Sequence, residues 1–316
     1  MAKEKKILEI EDLPGIGEVS AAKLKAAGID SLDKIATMPY AELAETAGIT
    51  PDAAKKAVQA AQESTTINYE TGSAVFERRM TIDKVSTGSA DLNEMIGGGV
   101  EAGAITEAYG KFASGKTQLG FQLCVNAQRP KSEGGMDGSV LFIDTEATFR
   151  PERIKEIAKA AGMDPEKVLD SIYYVRAQNT DQQILTIERA DKLIEEKGIK
   201  LIVVDSMMAL FRAEFVGRGA LGERQGKLNM HIHKLQSLAE KHNLAVYLTN
   251  QVMDNPGILF GDPTTPIGGN IMAHAATTRL YMRKSKEEKR IVRLIDSPSM
   301  PEGECVIKIT RDGIKG

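Results

Sequence analysis

Gly110-Lys-Phe-Ala-Ser-Gly115-Lys116-Thr117 decides the fold. It has the spacing GxxxxGK[ST], follows the apolar run Ala-Ile-Thr-Glu-Ala-Tyr (104–109) and opens the helical stretch TQLGFQLCVNAQ (117–128). A strand, a glycine-rich loop and a helix in that order make a phosphate cradle. The amides of Gly110, Lys111, Phe112, Ala113, Ser114 and Gly115 are expected to wrap a β-phosphate, with Gln118 next to them. The Lys116 ammonium reaches the β- and γ-phosphates and the Thr117 hydroxyl ligates Mg²⁺. ATP and Mg²⁺ are the ligands this stretch implies.

Outward from the loop, short apolar runs alternate with amphipathic ones. AITEAY, VLFID (140–144), IYYVRA (172–177), LIVVD (201–205) and LAVYLTN (244–250) read as buried strands, and PERIKEIAKAAG (151–162) and DQQILTIERADKLIEEKG (181–198) as helices. The order predicts a doubly wound α/β core whose mostly parallel sheet binds ligands at the carboxyl ends of its strands. Asp205 ends the run LIVVD, where a second carboxylate can meet the magnesium ion, through water; a helix-capping role is the other reading. Hydrolysis needs a group to orient or deprotonate water. Glu146, just past VLFID, is the candidate, and Asp144 in the same strand competes with it.

Residues 10–62 read differently, as short helices broken by glycine turns at Leu13-Pro-Gly-Ile-Gly17 and at Gly48-Ile-Thr-Pro-Asp52. Such turns expose amides at a following helix start, the helix-hairpin-helix pattern, and Thr50 and Pro51 suit the N-cap and first helical positions. Direct DNA contact and plain helix capping both remain open for this all-α segment. The expected division is a helix-hairpin-helix domain over 1–64, a linker over 65–80, to which the resemblance given below adds a polymerisation role, and an ATPase core over 81–316.

The net charge is only −3, and residues 1–66 carry 8 basic against 11 acidic side chains, so any nucleic-acid site must be local. Cys124 and Cys305 belong to no metal-spaced cluster, which points to a reducing compartment and no structural zinc. No apolar run approaches the roughly 18 residues of a membrane span and none has signal-peptide character, so a cytoplasmic protein without a membrane partner is expected, or a nuclear one if the source has a nucleus. His231 and His233 alternate on a predicted helix and face different ways, which disfavours a metal site; Leu228, Ile232, Leu235 and Ala239 form that helix's core stripe.

Together, STGSADLNEMIGGGVEAGAITEAYG (86–110), FIDTEATFRPERI (142–154), DSMMALFRAEFVGRGALGERQGKL (205–228), LTNQV (248–252), PIGGNIMAHAATTRLYMRK (266–284) and LIDSPSMPEGE (294–304) resemble the RecA/RadA recombinase family, in its archaeal RadA and eukaryotic branch. The likeness covers nearly the whole chain. It implies a RecA-like core and an ATP-dependent homo-oligomer, filament or ring, on single-stranded DNA that pairs it with double-stranded DNA. By resemblance, Glu146 is the catalytic glutamate, Lys116 assists it, Arg153 stacks on adenine and Gln251 senses the γ-phosphate. His274, Asp296 and Pro298 would approach a neighbour's nucleotide, with K⁺ as a further cation.

The resemblance also places two DNA loops. The first, Arg212 to Lys227, carries Arg212, Arg218, Arg224 and Lys227, a net positive charge suited to phosphates. The second, Met253 to Ile267, has no basic residue, a departure from the family. It leaves Ile258, Leu259 or Phe260 to meet bases and Gly268 and Gly269 to offer amides. The family's Phe-x-x-Ala-like polymerisation motif corresponds to Tyr69-Glu-Thr-Gly72, with both anchors altered. A regulatory relative that binds nucleotide without exchanging strands, and a small-molecule P-loop kinase, are the rival readings.

Overall fold

The computed structural model describes residues 9–65, 69–254 and 264–316, without the side chains of Arg218 and Asp254. The chain divides between Arg79 and Met80 into two compact units.

In the first unit, helices Glu18–Ala26, Leu32–Thr37, Tyr40–Ala47 and Pro51–Ser64 follow a short 3-10 turn, Ile10–Asp12. Local chemistry sets their ends. Gly48 takes φ 67° to close the third helix, and the Thr50 hydroxyl accepts from Ala53 N at 3.3 Å ahead of Pro51. Leu24, Ile35 and Leu43 are buried against Ala54, Ala57 and Ala61, whose small side chains recur at helical spacing on the longest helix. The predicted linker holds more structure than its weak periodicity suggested. Gly72–Met80 is a helix, its start capped by Thr71 Oγ1 (3.2 Å from Ala74 N), and it buries none of its residues. Ala74, Glu77, Arg78, Arg79 and Met80 favour helix, and the Thr71 cap satisfies one of its first amides.

The second unit is built on a nine-stranded sheet. Its strands are β1 Ile105–Tyr109, β2 Ser139–Asp144, β3 Ile172–Arg176, β4 Ile199–Asp205, β5 Ala245–Asn250, β6 Thr278–Lys284, β7 Lys289–Asp296, β8 Gly303–Thr310 and β9 Gly313–Lys315. The spatial order is β3-β2-β4-β5-β1-β6-β7-β8-β9. All pairs from β3 to β6 are parallel, and β7, β8 and β9 extend the sheet antiparallel. Successive residues of β2 show why the central strands read as continuous apolar runs. Val140 and Phe142 join the core on one face with Leu119, Phe121 and Leu123 of the P-loop helix, while Leu141 and Ile143 join the other with Leu228, Ile232, Leu235 and Ala239. The stripe Leu228 to Ala239 is core, as expected.

Two predicted segments differ. The helix expected over 181–198 is two helices, Thr180–Glu188 and Ala190–Lys197, separated at Arg189. The expected loop Arg212 to Lys227 is largely helical: Arg212 lies in Ala209–Glu214, Arg218 opens a 3-10 turn, and Arg224 and Lys227 lie in the first two turns of helix Leu221–His242. Leu228 and Ile232 anchor that helix in the core, and its favourable packing carries the helical phase back over Gly222 and Gly226. Among the described residues no helix is long and apolar enough to cross a membrane.

Candidate active site

Parallel pairing brings the carboxyl ends of β1, β2, β4 and β5 to one edge, with Tyr109 opposite Asn250 and Asp144 opposite Asp205. There Gly110 to Gln118, Glu146, Thr148, Asp205, Ser206, Thr249, Gln251, Val252, Arg290 and Ile309 line a cleft of 530 Å³. The P-loop's glycines answer to close neighbours. A Cβ at Gly110 would stand 2.0 Å from the Met282 carbonyl oxygen, and one at Gly115 2.6 Å from Ile309 Cδ1. Gly115 takes φ 104° and is the N-cap of helix Lys116–Asn126, so the helix begins where the loop ends. Phe112, at the loop's tip, is fully exposed.

Lys116 Nζ donates to the carbonyls of Gly110 (2.9 Å) and Lys111 (3.1 Å) and to Ser114 Oγ (3.3 Å). Burial lowers its pKa from the usual lysine value, while the charges of Asp205 and Glu146 act the other way. On the cleft floor, Thr117 Oγ1 donates to Asp205 Oδ2 at 2.8 Å, Thr148 Oγ1 to the same oxygen at 3.1 Å, and Thr249 Oγ1 to Oδ1. Burial raises the Asp205 pKa; the three hydroxyl bonds counter it, and the Glu146 charge adds to it. A carboxylate and a hydroxyl facing each other are hard oxygen donors of the kind Mg²⁺ takes from protein when phosphates and water complete its shell, so this donor set fits that ion. No group of three or more His, Cys, Asp or Glu among the described residues is placed to hold a metal without such help.

The two competing carboxylates occupy different surroundings. Asp144 is fully buried, and both its oxygens are engaged: Oδ1 accepts from Glu146 N (3.0 Å) and Thr148 N (3.2 Å), Oδ2 from Phe149 N (3.1 Å) and Tyr174 OH (3.2 Å). It shapes the loop that carries Glu146. Glu146 lines the cleft, with Oε1 accepting from Ser206 Oγ and Gln251 Nε2, each at 2.6 Å. Gln251 and Glu146 thus meet directly although 105 residues separate them in the chain.

Other sequence-predicted residues stand outside this cleft within the chain. Arg153 is no free surface arginine: its guanidinium donates to Gln118 Oε1 (2.8 Å) and to the carbonyls of Thr310 (2.6 Å) and Arg311, which fixes it beside the cleft through Gln118. His274 lines a separate 490 Å³ pocket with Asn229, Ile232, His233 and Gln236. Asp296 ends β7, and Pro298 follows it. Lys227 is paired with Asp181 at 3.0 Å. Gly268 caps helix Gly269–Ala275, while Ile258, Leu259, Phe260 and the Arg218 side chain lie outside the described residues. Tyr69 is 90% exposed and Gly72 opens the unburied helix.

The sequence reading missed Thr148, Ser206, Thr249, Val252, Arg290 and Ile309. Ser206 and Thr249 carried a usable signal, polar residues at the carboxyl ends of apolar strands. Arg290 and Ile309 had none locally, because they reach the cleft from β7 and β8; Arg290 Nε donates to Ala113 O at 3.2 Å.

Comparison with known families follows the two units. A family described as SAM-like helix-hairpin-helix tandem matches residues 7–63, and one described as Rad51 matches residues 78–316. The second match spans the sheet, the P-loop and every residue of the cleft, and on it the chain belongs to the Rad51 family of RecA-like proteins.

Proposed function

We propose that this chain is a DNA-dependent ATPase of the archaeal RadA and eukaryotic recombinase branch, which assembles on single-stranded DNA and exchanges strands with a duplex. Family membership supports a nucleotide-binding ATPase of DNA recombination that uses ATP and Mg²⁺. The observation that carries the finer reading is the junction at Gln251. Its amide donates to Glu146 in the cleft, and its backbone carbonyl accepts from Ile267 N (3.0 Å) where the second loop returns to the core. One residue therefore touches both the hydrolytic carboxylate and the DNA loop's foot.

In this reading Gly110 to Thr117 cradle the phosphates, Gln118 and Arg153 hold the adenine side, and Lys116 neutralises the γ-phosphate. The low dielectric that lowers the Lys116 pKa also strengthens its attraction to phosphate. Thr117, and Asp205 through water, would hold Mg²⁺, which when bound supplies positive charge across the β- and γ-phosphates. Glu146 keeps one oxygen tied to Ser206 and Gln251; the other takes a proton from the attacking water, leaving ADP and phosphate. His274, Asp296 and Pro298 serve a neighbour's nucleotide, with K⁺ beside them, and Tyr69 and Gly72 join protomers. Arg212, Arg218, Arg224 and Lys227 bind phosphates, Ile258 and Phe260 bases, and Gly268 and Gly269 the backbone. The setting is the cytoplasm.

The test is the ATPase rate with and without single-stranded DNA, followed by D-loop formation. Stimulation and D-loops are expected. A rate indifferent to DNA would overturn the reading and leave a regulatory relative.

A further inference from the structure

Glu107 is a fully buried carboxylate in the middle of β1, outside the cleft and without a part in the chemistry above. Its Oε2 accepts from Arg279 Nε of β6 at 2.8 Å, and its Oε1 accepts from Asn250 Nδ2 at the end of β5 at 2.7 Å. Asn250 Nδ2 donates a second bond, to the Ile267 carbonyl at 2.6 Å. Arg279 is also buried, its guanidinium 5.2 Å from the Tyr109 ring centroid. Burial raises the Glu107 pKa; the Arg279 charge and the two hydrogen bonds act against it.

Thermodynamics alone does not account for such a group. A buried ion pair seldom stabilises more than well-packed apolar side chains of the same volume, and this one also holds a defined hydrogen-bond geometry. That geometry is specific here. An amide nitrogen has two hydrogens, and both are spoken for, one by β1 and one by the loop's foot. The next residue is Gln251, whose side chain holds Glu146 and whose carbonyl holds Ile267 N. Ile267 is thus fastened at both its backbone groups, through N to Gln251 and through O to Asn250.

We propose that Glu107, Arg279 and Asn250 are positioning residues: the buried ion pair fixes the Asn250 amide, which locks Gln251 and the foot of the second DNA loop into one register. The inference rests on the hydrolytic reading of Glu146 and Gln251. A shift of Gln251 toward a γ-phosphate must then move Ile267 and helix Gly269–Ala275, and the same path carries DNA-induced shifts back to the cleft.

The experiment uses the full-length protein. Asn250→Ala is expected to lower kcat at least about tenfold while KM for ATP stays within about twofold. Because it acts through Gln251, the double variant N250A/Q251A is expected to be no slower than Q251A alone; a merely structural role gives effects that add. The pair replacement E107L/R279M keeps apolar packing and removes the amide's anchor, so it should reproduce the kcat loss with cooperative thermal unfolding retained. A second readout needs no turnover: a non-hydrolysable ATP analogue should slow hydrogen exchange in Ile267–Ala275 of the parent protein and leave N250A unaffected. Additive kcat losses, or analogue-dependent protection retained in N250A, would overturn the proposal. Should N250A fail to fold, Asn250→Ser carries the same cycle. A parent ATPase indifferent to DNA would defeat the proposed function instead, while the cycle on its basal kcat still decides this inference.

Discussion

At the scale of single residues, the cleft depends on what has no room to change. The Met282 carbonyl stands 2.0 Å from the place of a Gly110 Cβ, and a backbone oxygen on a central strand cannot swing aside as a side chain can. Gly110→Ala must therefore displace the loop itself. If the loop must regain its parental shape to wrap phosphate, an overpacking cost of about 3 kcal/mol falls on binding and predicts roughly 100-fold weaker nucleotide affinity, measurable with a fluorescent ATP analogue. Near-parental affinity would contradict the steric argument. Glu146→Gln separates binding from chemistry in the same cleft. The amide keeps the size and one acceptor oxygen but cannot take a proton from water. Turnover should fall by about 10²–10⁴-fold with affinity nearly unchanged; a loss confined to affinity would move the catalytic role elsewhere.

At the scale of elements, helix Leu221–His242 is locked to its neighbours by a polar contact inside an apolar core. His231 is buried, lies 3.3 Å from Gln183 Nε2 on helix Thr180–Glu188, and has a centroid distance of 6.2 Å to Phe211. Gln183 Nε2 also donates to the Met207 carbonyl, so the imidazole nitrogen facing it is an acceptor and the ring is neutral. Burial pushes the His231 pKa down to about 4. The unfolded chain titrates near 6.5, so between these values the unfolded state binds the extra proton and stability falls as pH drops. Above the unfolded pKa the contribution is fully present. His231→Gln keeps an acceptor for Gln183 and removes the titration. Denaturant unfolding from pH 7 to pH 4 should therefore lose roughly 3 kcal/mol less in the variant than in the parent. Equal losses would show that His231 titrates in the fold as it does in the unfolded chain.

Elements also show where the sequence was readable. Four of the five runs from Ala104 to Asn250 announce themselves because strands covered on both faces are apolar at most positions, and the caps at Gly48 and Thr50 act locally. Strands β6 to β9 escape the same reading: KRIVRLID alternates Arg and Lys with the buried Val292 and Leu294, a half-covered pattern easily taken for a polar segment. The motif residues Lys116 and Thr117 could be placed from the loop's spacing, and Asp205 from a strand end. The Glu146–Gln251 contact, the tether on Arg153 and the Arg290 approach could not, since each depends on which strands lie side by side. The helical character of the segment Arg212 to Lys227 was missed for another reason. The resemblance implied a loop, with Gly217 and Gly219 giving it backbone freedom, and tertiary packing at Leu228 and Ile232 favours helix instead.

For the whole molecule the governing quantity is a net charge of −3, with an acidic N-terminal segment and a second loop lacking basic residues. Overall electrostatics thus oppose DNA slightly, and affinity must come from a few local cations whose binding releases counterions from the strand. Under the proposed function the basic residues from Arg212 to Lys227 are that set, and Lys227 would have to exchange its Asp181 partner, at 3.0 Å, for a phosphate. Each phosphate contact on a single strand contributes about 0.7 to the slope of log affinity against log salt concentration. Arg218→Ala and Arg224→Ala are each expected to flatten that slope by about 0.7, and to weaken binding to all sequences alike, because phosphates carry no sequence information. Lys192→Ala is the control: this lysine is 83% exposed, lies outside the Arg212–Lys227 segment and pairs only loosely with Glu196 at 3.6 Å, so removing it changes the net charge equally without removing a proposed phosphate contact. Anisotropy titrations of a labelled oligonucleotide across a salt series distinguish the two. If the control flattened the slope as much as the loop arginines, DNA would be held by the diffuse field of the whole molecule rather than by this segment. An Arg218→Ala slope equal to the parent's would remove that residue from the DNA path.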